Sequence, residues 1–290
     1  MATAPAQDRQ TVRKEQRRQL LRDPSFIIGF SIVLLWILCA VFPGLLTTRS
    51  PDVGVTLADG TFLARSSPGA DAWFGTDGIG RDVFSRVIYG ARSVLTTAPV
   101  AAALAVAAGA FLGLLMGYFR GWVDEVISRI SEAFLSLPVV LLAIMVLVVF
   151  GSSNLVIILT VAGLFTPVVA RTVRSAVLAE AQLDYVTSAK LRGEPSWFVM
   201  SREILPNITN ILVVEFTVRV AYAIFTIATL AFLGFTGDAL RADWGNDIAN
   251  TYTLIQAGQW WPTIFPSLAI AALVIGVNLI ADSLDKALKS

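Results

Sequence analysis

Residues 93–118 read SVLTTAPVAAALAVAAGAFLGLLMGY and contain no Asp, Glu, Lys or Arg. A helix needs about 20 apolar residues to cross the hydrocarbon core of a bilayer, where it satisfies its own backbone hydrogen bonds. The alanines and glycines of this stretch are small residues that let membrane helices approach one another closely. Residues 93–118 are therefore predicted to form a transmembrane helix that packs against neighbouring helices.

Five further stretches meet the same criterion. The third span in chain order begins with Asp124, Glu125, Arg129 and Glu132 at helical spacing and becomes wholly apolar at residue 138, so its charged end is expected at the membrane surface. The predicted fold class is an all-α polytopic membrane protein with six transmembrane helices, at residues 26–46, 93–118, 121–150, 155–170, 211–233 and 263–280.

Composition supports this fold class and argues against several kinds of function. Of the 290 residues, 56% are hydrophobic and only 15% are charged, and the mean hydropathy is +0.71. A net charge of +1 gives no basic face for nucleic acid. The chain has no histidine and only one cysteine, Cys39, which argues against enzymatic chemistry and a metal site. No GxxxxGK[ST] motif is present, so no cofactor is expected in this chain.

Basic residues near the span ends predict the orientation, because short cytoplasmic segments carry an excess of Lys and Arg. Residues 1–25 are rich in arginine and are predicted to be a cytoplasmic tail that leads into a retained helix, not a cleavable signal. Six crossings then return Lys286 and Lys289 to the cytoplasm. The first external loop, residues 47–92, also carries arginines, but it is long, and long loops count less. A five-helix core at residues 93–287 contains a cytoplasmic hairpin at residues 171–207.

The external segment before the second span begins as a turn and becomes an amphipathic helix. Val83, Val87 and Ile88 lie on one side of that helix, and Arg81 and Arg86 lie beside them. One interpretation is an interfacial helix whose arginines snorkel to the headgroups. The alternative is contact with a substrate.

The cytoplasmic hairpin and the fifth span carry the other candidate sites. The hairpin is predicted to contain two short helices broken at Gly193 and ended by Pro206, and it is either a docking element or a solvated connector. Glu215 and Arg219 lie four residues apart on one face of the fifth span, so they can pair. They are either a structural pair or residues of a transport pathway, because an intramembrane charge is costly and often functional.

Two of these segments resemble known motifs. The hairpin residues 184–193 and 203–207 resemble the EAA signature of ABC-importer permeases, although Thr187-Ser188-Ala189 stands where that family has Glu-Ala-Ala. The external segment is similar to the FGTDxxGRDxxSRxxxGxRxSL pattern of the C-type permease subunits of dipeptide, oligopeptide and nickel ABC importers, and departs from it only at Ser93-Val94-Leu95. The matching residues, which we call the signature residues, are Gly75, Thr76, Asp77, Gly80, Arg81, Asp82, Ser85, Arg86, Gly90 and Arg92.

The resemblance implies a permease subunit of a type I ABC importer in a bacterial inner membrane. It implies as partners a homologous second permease subunit, ATPase subunits that bind ATP and Mg, an extracytoplasmic substrate-binding protein and membrane lipid. The substrate would be a di- or oligopeptide, with nickel or another small solute as the alternative; a secondary transporter or a membrane enzyme are the competing functions. The implied coupling residues are Thr187, Ser188, Ala189, Lys190, Leu191, Arg192, Gly193, Glu194, Pro195, Ser196, Trp197, Phe198, Leu205 and Pro206.

Overall fold

The computed structural model describes residues 19–235 and 241–289. The first 18 residues of the predicted tail, and residues 236–240 of the last external loop, lie outside the described residues. The described residues form helices and three isolated β-bridges, which confirms the all-α fold class. The α-helices are α1 (Pro24–Val41), α2 (Pro43–Leu46), α3 (Val83–Phe119), α4 (Gly121–Leu135), α5 (Val139–Phe150), α6 (Asn154–Glu180), α7 (Asp184–Leu191), α8 (Ser196–Phe198), α9 (Leu205–Asn207), α10 (Thr209–Phe232), α11 (Trp244–Thr251) and α12 (Trp261–Lys289).

Five of these helices, α1, α3, α6, α10 and α12, are long and apolar enough to cross a membrane. The third predicted crossing corresponds to α4 and α5, which are bent by 90° at the short break between them. Pro138 stands before α5 at that break, and a proline disfavours helical geometry in the residue preceding it. Counting the bent pair as one span gives the predicted number of six.

Three helices run further than the sequence predicted, and one of them is α12, which continues nine residues past position 280 to Lys289. α3 begins at Val83, so the predicted interfacial helix is the first part of one continuous 37-residue helix that has no boundary at residue 93. α6 continues ten residues past position 170 to Glu180, so the first part of the predicted hairpin is the end of a span. The reason in α6 is packing: Val173 and Val177 are fully buried against α3 and hold the helix together beyond its uncharged part.

The closest pair of helices is α3 and α6. Gly109, Gly113 and Gly117 of α3 face Val169, Val173 and Val177 of α6, and a Cβ on any of these glycines would come within 2.5 to 2.6 Å of a valine Cβ. The two helices run parallel, because the residue numbers of the contacting glycines in α3 and valines in α6 increase in the same direction. Their C-terminal ends therefore lie at the same end of the bundle.

The remaining long helices pack around this pair. α1 and α12 cross where Gly29 meets Gly276, and α10 packs on both α3 and α12. The buried apolar side chains that the structure describes form two clusters, one around Ala98, Ile224 and Leu273 and one around Val173, Val186 and Ile204. We name the two ends of the bundle after what they hold: the signature end, where α3 begins, and the hairpin end, where α3 and α6 finish.

Candidate functional sites at the two ends of the bundle

The loop that leads into α3 is built around the buried carboxylate of Asp77. Its Oδ1 accepts hydrogen bonds from the backbone N–H groups of Ile79 at 3.0 Å and Arg81 at 2.8 Å. Its Oδ2 accepts a hydrogen bond from Nε of Arg81 at 2.7 Å. Asp77 thus stabilises the turn and forms an ion pair with Arg81, and both side chains are buried.

The next two signature residues start the helix. Asp82 caps α3, because its Oδ2 accepts hydrogen bonds from the backbone N–H of Ser85 at 2.8 Å and from the Ser85 hydroxyl at 2.6 Å. The Ser85 hydroxyl also lies 2.6 Å from the hydroxyl of Thr47, which follows α2. The chain that leaves α2 is therefore tied to the first turn of α3.

Arg86 is the most heavily bonded residue of the signature. It is 2% exposed. Its Nε and one terminal nitrogen donate to Oδ1 of Asp247 at 2.8 and 2.5 Å. The other terminal nitrogen donates to the carbonyl of Pro51 at 3.0 Å and to Asp52 at 3.3 Å. Arg86 therefore joins α3, α11 and the first loop, which lie up to 161 positions apart in the chain.

Asp247 is buried, and only one of its two carboxylate oxygens accepts hydrogen bonds from the described residues. Oδ1 receives both bonds from Arg86, whereas Oδ2 has no hydrogen-bond partner among the described residues. Burial outweighs the nearby arginine charge and raises the pKa of Asp247 to about 6. Nothing in the sequence pattern linked Asp247 to Arg86, because the contact joins segments with no shared local periodicity.

Two signature glycines permit close contact with tryptophans. A Cβ on Gly90 would lie 2.6 Å from the indole of Trp244, whose Nε1 donates to the carbonyl of Val87 at 2.8 Å. Gly75 has φ +73°, and a Cβ there would lie 2.6 Å from Trp261. The Nε1 of Trp261 donates to the carbonyl of Thr76 at 3.0 Å. Because Gly90 and Gly75 lack a Cβ, the indoles of Trp244 and Trp261 can pack against the backbone here and connect this end of the bundle to α11 and α12.

The prediction that the signature arginines snorkel to the headgroups is wrong for Arg81 and Arg86, which are buried in ion pairs. Arg92 differs from them, because it is exposed and lines a cavity. This cavity has a volume of about 1240 Å³ and lies between α3, α6, α10 and the loop after α2. Its lining contains Arg49, Asp52, Tyr89, Arg92, Ser93, Thr96, Asn154, Ile157, Ile227, Arg241 and Asp243.

At the hairpin end, the chain turns at Gly193 as the sequence predicted. Gly193 has φ +78°, and its N–H donates to the carbonyl of Lys190 at 3.0 Å. A Cβ there would meet nothing within 4 Å, so the glycine is required by its backbone conformation and not by crowding. The second predicted short helix is instead α8, a π-helix at Val199–Ile204 and α9.

The hairpin buries one side and exposes the other. Val186, Ala189, Val199 and Ile204 are buried against the end of the α3–α6 pair. Around the turn, Leu191 is 84% exposed and Trp197 is 65% exposed. Thr187 and Ser188, which depart from the family motif, lie on the exposed side, whereas the matching Ala189 is buried. The departures therefore leave the packing of the hairpin unchanged.

Polar contacts fix the hairpin to its surroundings. Nζ of Lys190 lies 4.8 Å from the centre of the Tyr118 ring. The hydroxyl of Tyr185 donates to Oε1 of Glu180 at 2.6 Å. Burial, as the larger cause, and this hydrogen bond both raise the pKa of Tyr185 above its ordinary value. Arg192 pairs loosely with Glu203 at 3.5 Å across the turn. These contacts join α7 to the ends of α3 and α6.

Glu215 and Arg219 form the predicted pair in α10. Nε of Arg219 lies 3.0 Å from Oε2 of Glu215, and both side chains are mostly buried. The guanidinium group of Arg219 also lies over the rings of Phe165 and Tyr222, at 5.9 and 5.2 Å from their centres. The pair is therefore held on the side of α10 that faces α6.

The site residues of the sequence analysis fall into three separate groups: the signature loop, the hairpin and the α10 pair. No group of three or more Cys, Asp or Glu side chains within the described ranges could hold a metal ion.

Comparison with known proteins agrees with this architecture. The family model described as "Binding-protein-dependent transport system inner membrane component" matches residues 109–290. The dipeptide transport system permease protein DppC of Alkalihalophilus pseudofirmus is 34% identical over 276 residues, which cover 95% of this chain and 88% of the relative. DppC of Bacillus subtilis is 33% identical over 93% of this chain and 83% of the relative. The glutathione transport system permease protein GsiD of Pectobacterium atrosepticum is 36% identical over 76% of this chain and 73% of the relative.

All of the signature residues lie before the region that the family model matches, and the relatives extend the similarity over them. A helical bundle with several membrane-spanning helices, matched along most of its length, is a multi-pass inner-membrane protein. The chain belongs to the family of binding-protein-dependent transport system inner membrane components, which are the permease subunits of ABC importers.

Proposed function

We propose that this chain forms half of the translocation pathway of an ATP-driven importer of di- or oligopeptides, and that it has no catalytic activity of its own. The names of its relatives support the substrate class, since they transport dipeptides and glutathione. The observation that carries the proposal is the hairpin, which presents Leu191 and Trp197 to solvent at one end of the bundle while its other side is buried. Exposed apolar side chains of this size are typical of a surface that a partner covers.

The proposed assembly contains a homologous second permease subunit, ATPase subunits that bind ATP and Mg, and a substrate-binding protein. The hairpin end and both termini would face the cytoplasm, in agreement with the basic residues of the tail. Residues 187–198 would dock on an ATPase subunit, with Leu205 and Pro206 setting the end of the hairpin. The signature end would face the binding protein.

Purification of the assembly tests this proposal. A tagged copy of this chain, extracted in mild detergent, is expected to bring with it a homologous membrane subunit and ATP-binding subunits. In proteoliposomes that assembly should take up peptides only when ATP and a binding protein are both supplied. A chain that purifies alone and takes up peptides in response to a proton or sodium gradient would instead be a secondary transporter.

The α10 pair gives a test of the pathway itself. Replacing Glu215 and Arg219 together by glutamine is expected to lower peptide uptake about 10- to 100-fold, because a peptide loses charge-assisted hydrogen bonds of about 1.5–3 kcal/mol. The loss should differ between cationic and anionic peptides when their uptake is measured in proteoliposomes. The matched control is Arg129→Gln with Glu132→Gln, an exposed pair on α4. If the variant with glutamine at positions 215 and 219 took up every peptide normally, the pathway role would be wrong and the pair would be a dispensable structural contact.

A further inference from the structure

The cavity at the signature end carries a row of polar side chains on one helix. Tyr89, Arg92, Ser93 and Thr96 of α3 all line it, and their spacing of three or four residues places them on one helical face. The other helices contribute a mixed lining, with the apolar Ile157 of α6 and Ile227 of α10 and the polar Asn154 of α6. At about 1240 Å³ the cavity exceeds the usual 300–1,000 Å³ of small-molecule sites, so it has room for a short peptide.

The acidic groups of this cavity are already engaged by the protein. Asp52 lies 3.3 Å from a terminal nitrogen of Arg86. Asp243 caps α11 through two backbone N–H groups and accepts a hydrogen bond from Ser93 at 2.9 Å. Both carboxylates therefore have partners within the protein, which reduces their capacity to bind a cationic group of a ligand.

The arginines of the cavity differ from one another. Arg49 donates to the carbonyl of Asp71 and lies 3.7 Å from Asp82. The guanidinium group of Arg92 makes neither a hydrogen bond nor an ion pair with any residue of the described ranges, and the side chain is exposed. Asp52 and Asp243, the described carboxylates of the lining, both have partners, so within the described residues the guanidinium of Arg92 is available to an anionic ligand. A guanidinium fork matches a carboxylate with two parallel hydrogen bonds.

We propose that this cavity is a carboxylate-binding vestibule in which Arg92 binds the terminal carboxylate of an incoming peptide. The proposal rests on the proposed function, whose substrates have such a carboxylate. The hydroxyl groups of Ser93 and Thr96 already donate to Asp243 and to the carbonyl of Arg92, so the donors to the carboxylate come from the Arg92 guanidinium. Ile157 and Ile227 supply apolar contact for the peptide side chains. Arg92 acts by binding and takes part in no chemical step.

The geometry also relates the vestibule to the α10 pair. Arg219 lies eight residues from Ile227 toward the hairpin end, which is about 12 Å along the helix at 1.5 Å per residue. Its neighbour Phe165 lies eight residues from Ile157 in the same direction along α6. A carboxylate released by Arg92 would therefore meet the next cationic group about two helical turns deeper.

The test uses the complete importer in proteoliposomes, with its binding protein saturated in turn by radiolabelled dialanine and by dialanine amide. Arg92→Gln is expected to lower dialanine uptake at least about a hundredfold, because two charge-assisted hydrogen bonds are lost, and to change uptake of the amide less than about twofold. Arg92→Lys, which keeps the charge without the fork, should give dialanine uptake between that of Arg92→Gln and that of the wild type. Arg65→Gln is the matched control, an exposed arginine that lies in the loop before α3 and outside the cavity.

Two results would overturn the vestibule. An equal loss of both peptides would assign Arg92 to contact with the binding protein or the second subunit, and unchanged uptake of both would leave it without a role. In either case wild-type uptake of dialanine would keep the proposed function intact. A wild-type importer that takes up neither of these compounds, nor longer peptides supplied with its binding protein, would refute the peptide function, and with it the vestibule.

Discussion

Replacing Gly193 by proline is expected to abolish ATP hydrolysis that depends on the loaded binding protein, while leaving the subunit inserted in the membrane. Gly193 has φ +78°, whereas proline is fixed near −65°, and the N–H that Gly193 donates to Lys190 would be lost. The turn would then aim α7 and α8 differently, and the surface at Leu191 and Trp197 could not seat on an ATPase. The measurement is ATPase activity of the reconstituted importer with and without peptide-loaded binding protein.

A second variant keeps this test independent of folding. Trp197→Glu places a charge on a side chain that is 65% exposed, so its cost to folding is small, yet it is expected to lower stimulated ATP hydrolysis at least tenfold. The matched control is Trp122→Glu, since Trp122 is 76% exposed at the start of α4 and lies outside the hairpin. Full stimulation of the Trp197→Glu importer would contradict docking through this surface.

The membrane spans could be predicted from sequence because their signal is local. A run of about 20 apolar residues is enough to identify a span, and all six predicted runs coincide with helices or with the bent pair. The turn at Gly193 was equally local, since a glycine followed by Pro195 marks a break. The π-helix at Val199–Ile204 could not be predicted, because hydrophobic periodicity does not distinguish its hydrogen bonds from those of an α-helix.

The signature end shows where sequence reasoning stops. In the sequence, Arg86 lies beside an apolar stripe, and this pattern is compatible both with an arginine that snorkels to the headgroups and with one that is buried in an ion pair. Its burial depends on Asp247 in α11 and on the carbonyl of Pro51, which come from distant parts of the chain. The same holds for Gly90, whose need for a small residue arises from Trp244. Most of the signature therefore builds the fold of this end, and Arg92 is the signature arginine left to face the cavity.

Replacing Arg86 by methionine is expected to destabilise the subunit by about 3–5 kcal/mol at pH 8, the range found when a buried ion pair loses one partner. The variant would leave the carboxylate of Asp247 buried without its two donors. The measurement is tryptophan-fluorescence unfolding of the purified assembly. Arg65→Met, at an exposed arginine of the loop before α3, is the control and should unfold close to the wild type.

The pH dependence separates this explanation from a general loss of packing. Burial raises the folded-state pKa of Asp247 to about 6, above its value of 3.8 in the unfolded chain, so the folded state binds the proton more tightly. Stability from this group is therefore greatest below pH 4 and falls as pH rises to 6. Without Arg86 the pKa rises further, so the Arg86→Met variant should recover much of its stability between pH 8 and pH 5. Adding Asp247→Asn removes the titrating group and should both restore stability at pH 8 and flatten the profile, whereas a deficit that stayed constant with pH would mean that the arginine contributes only its bulk.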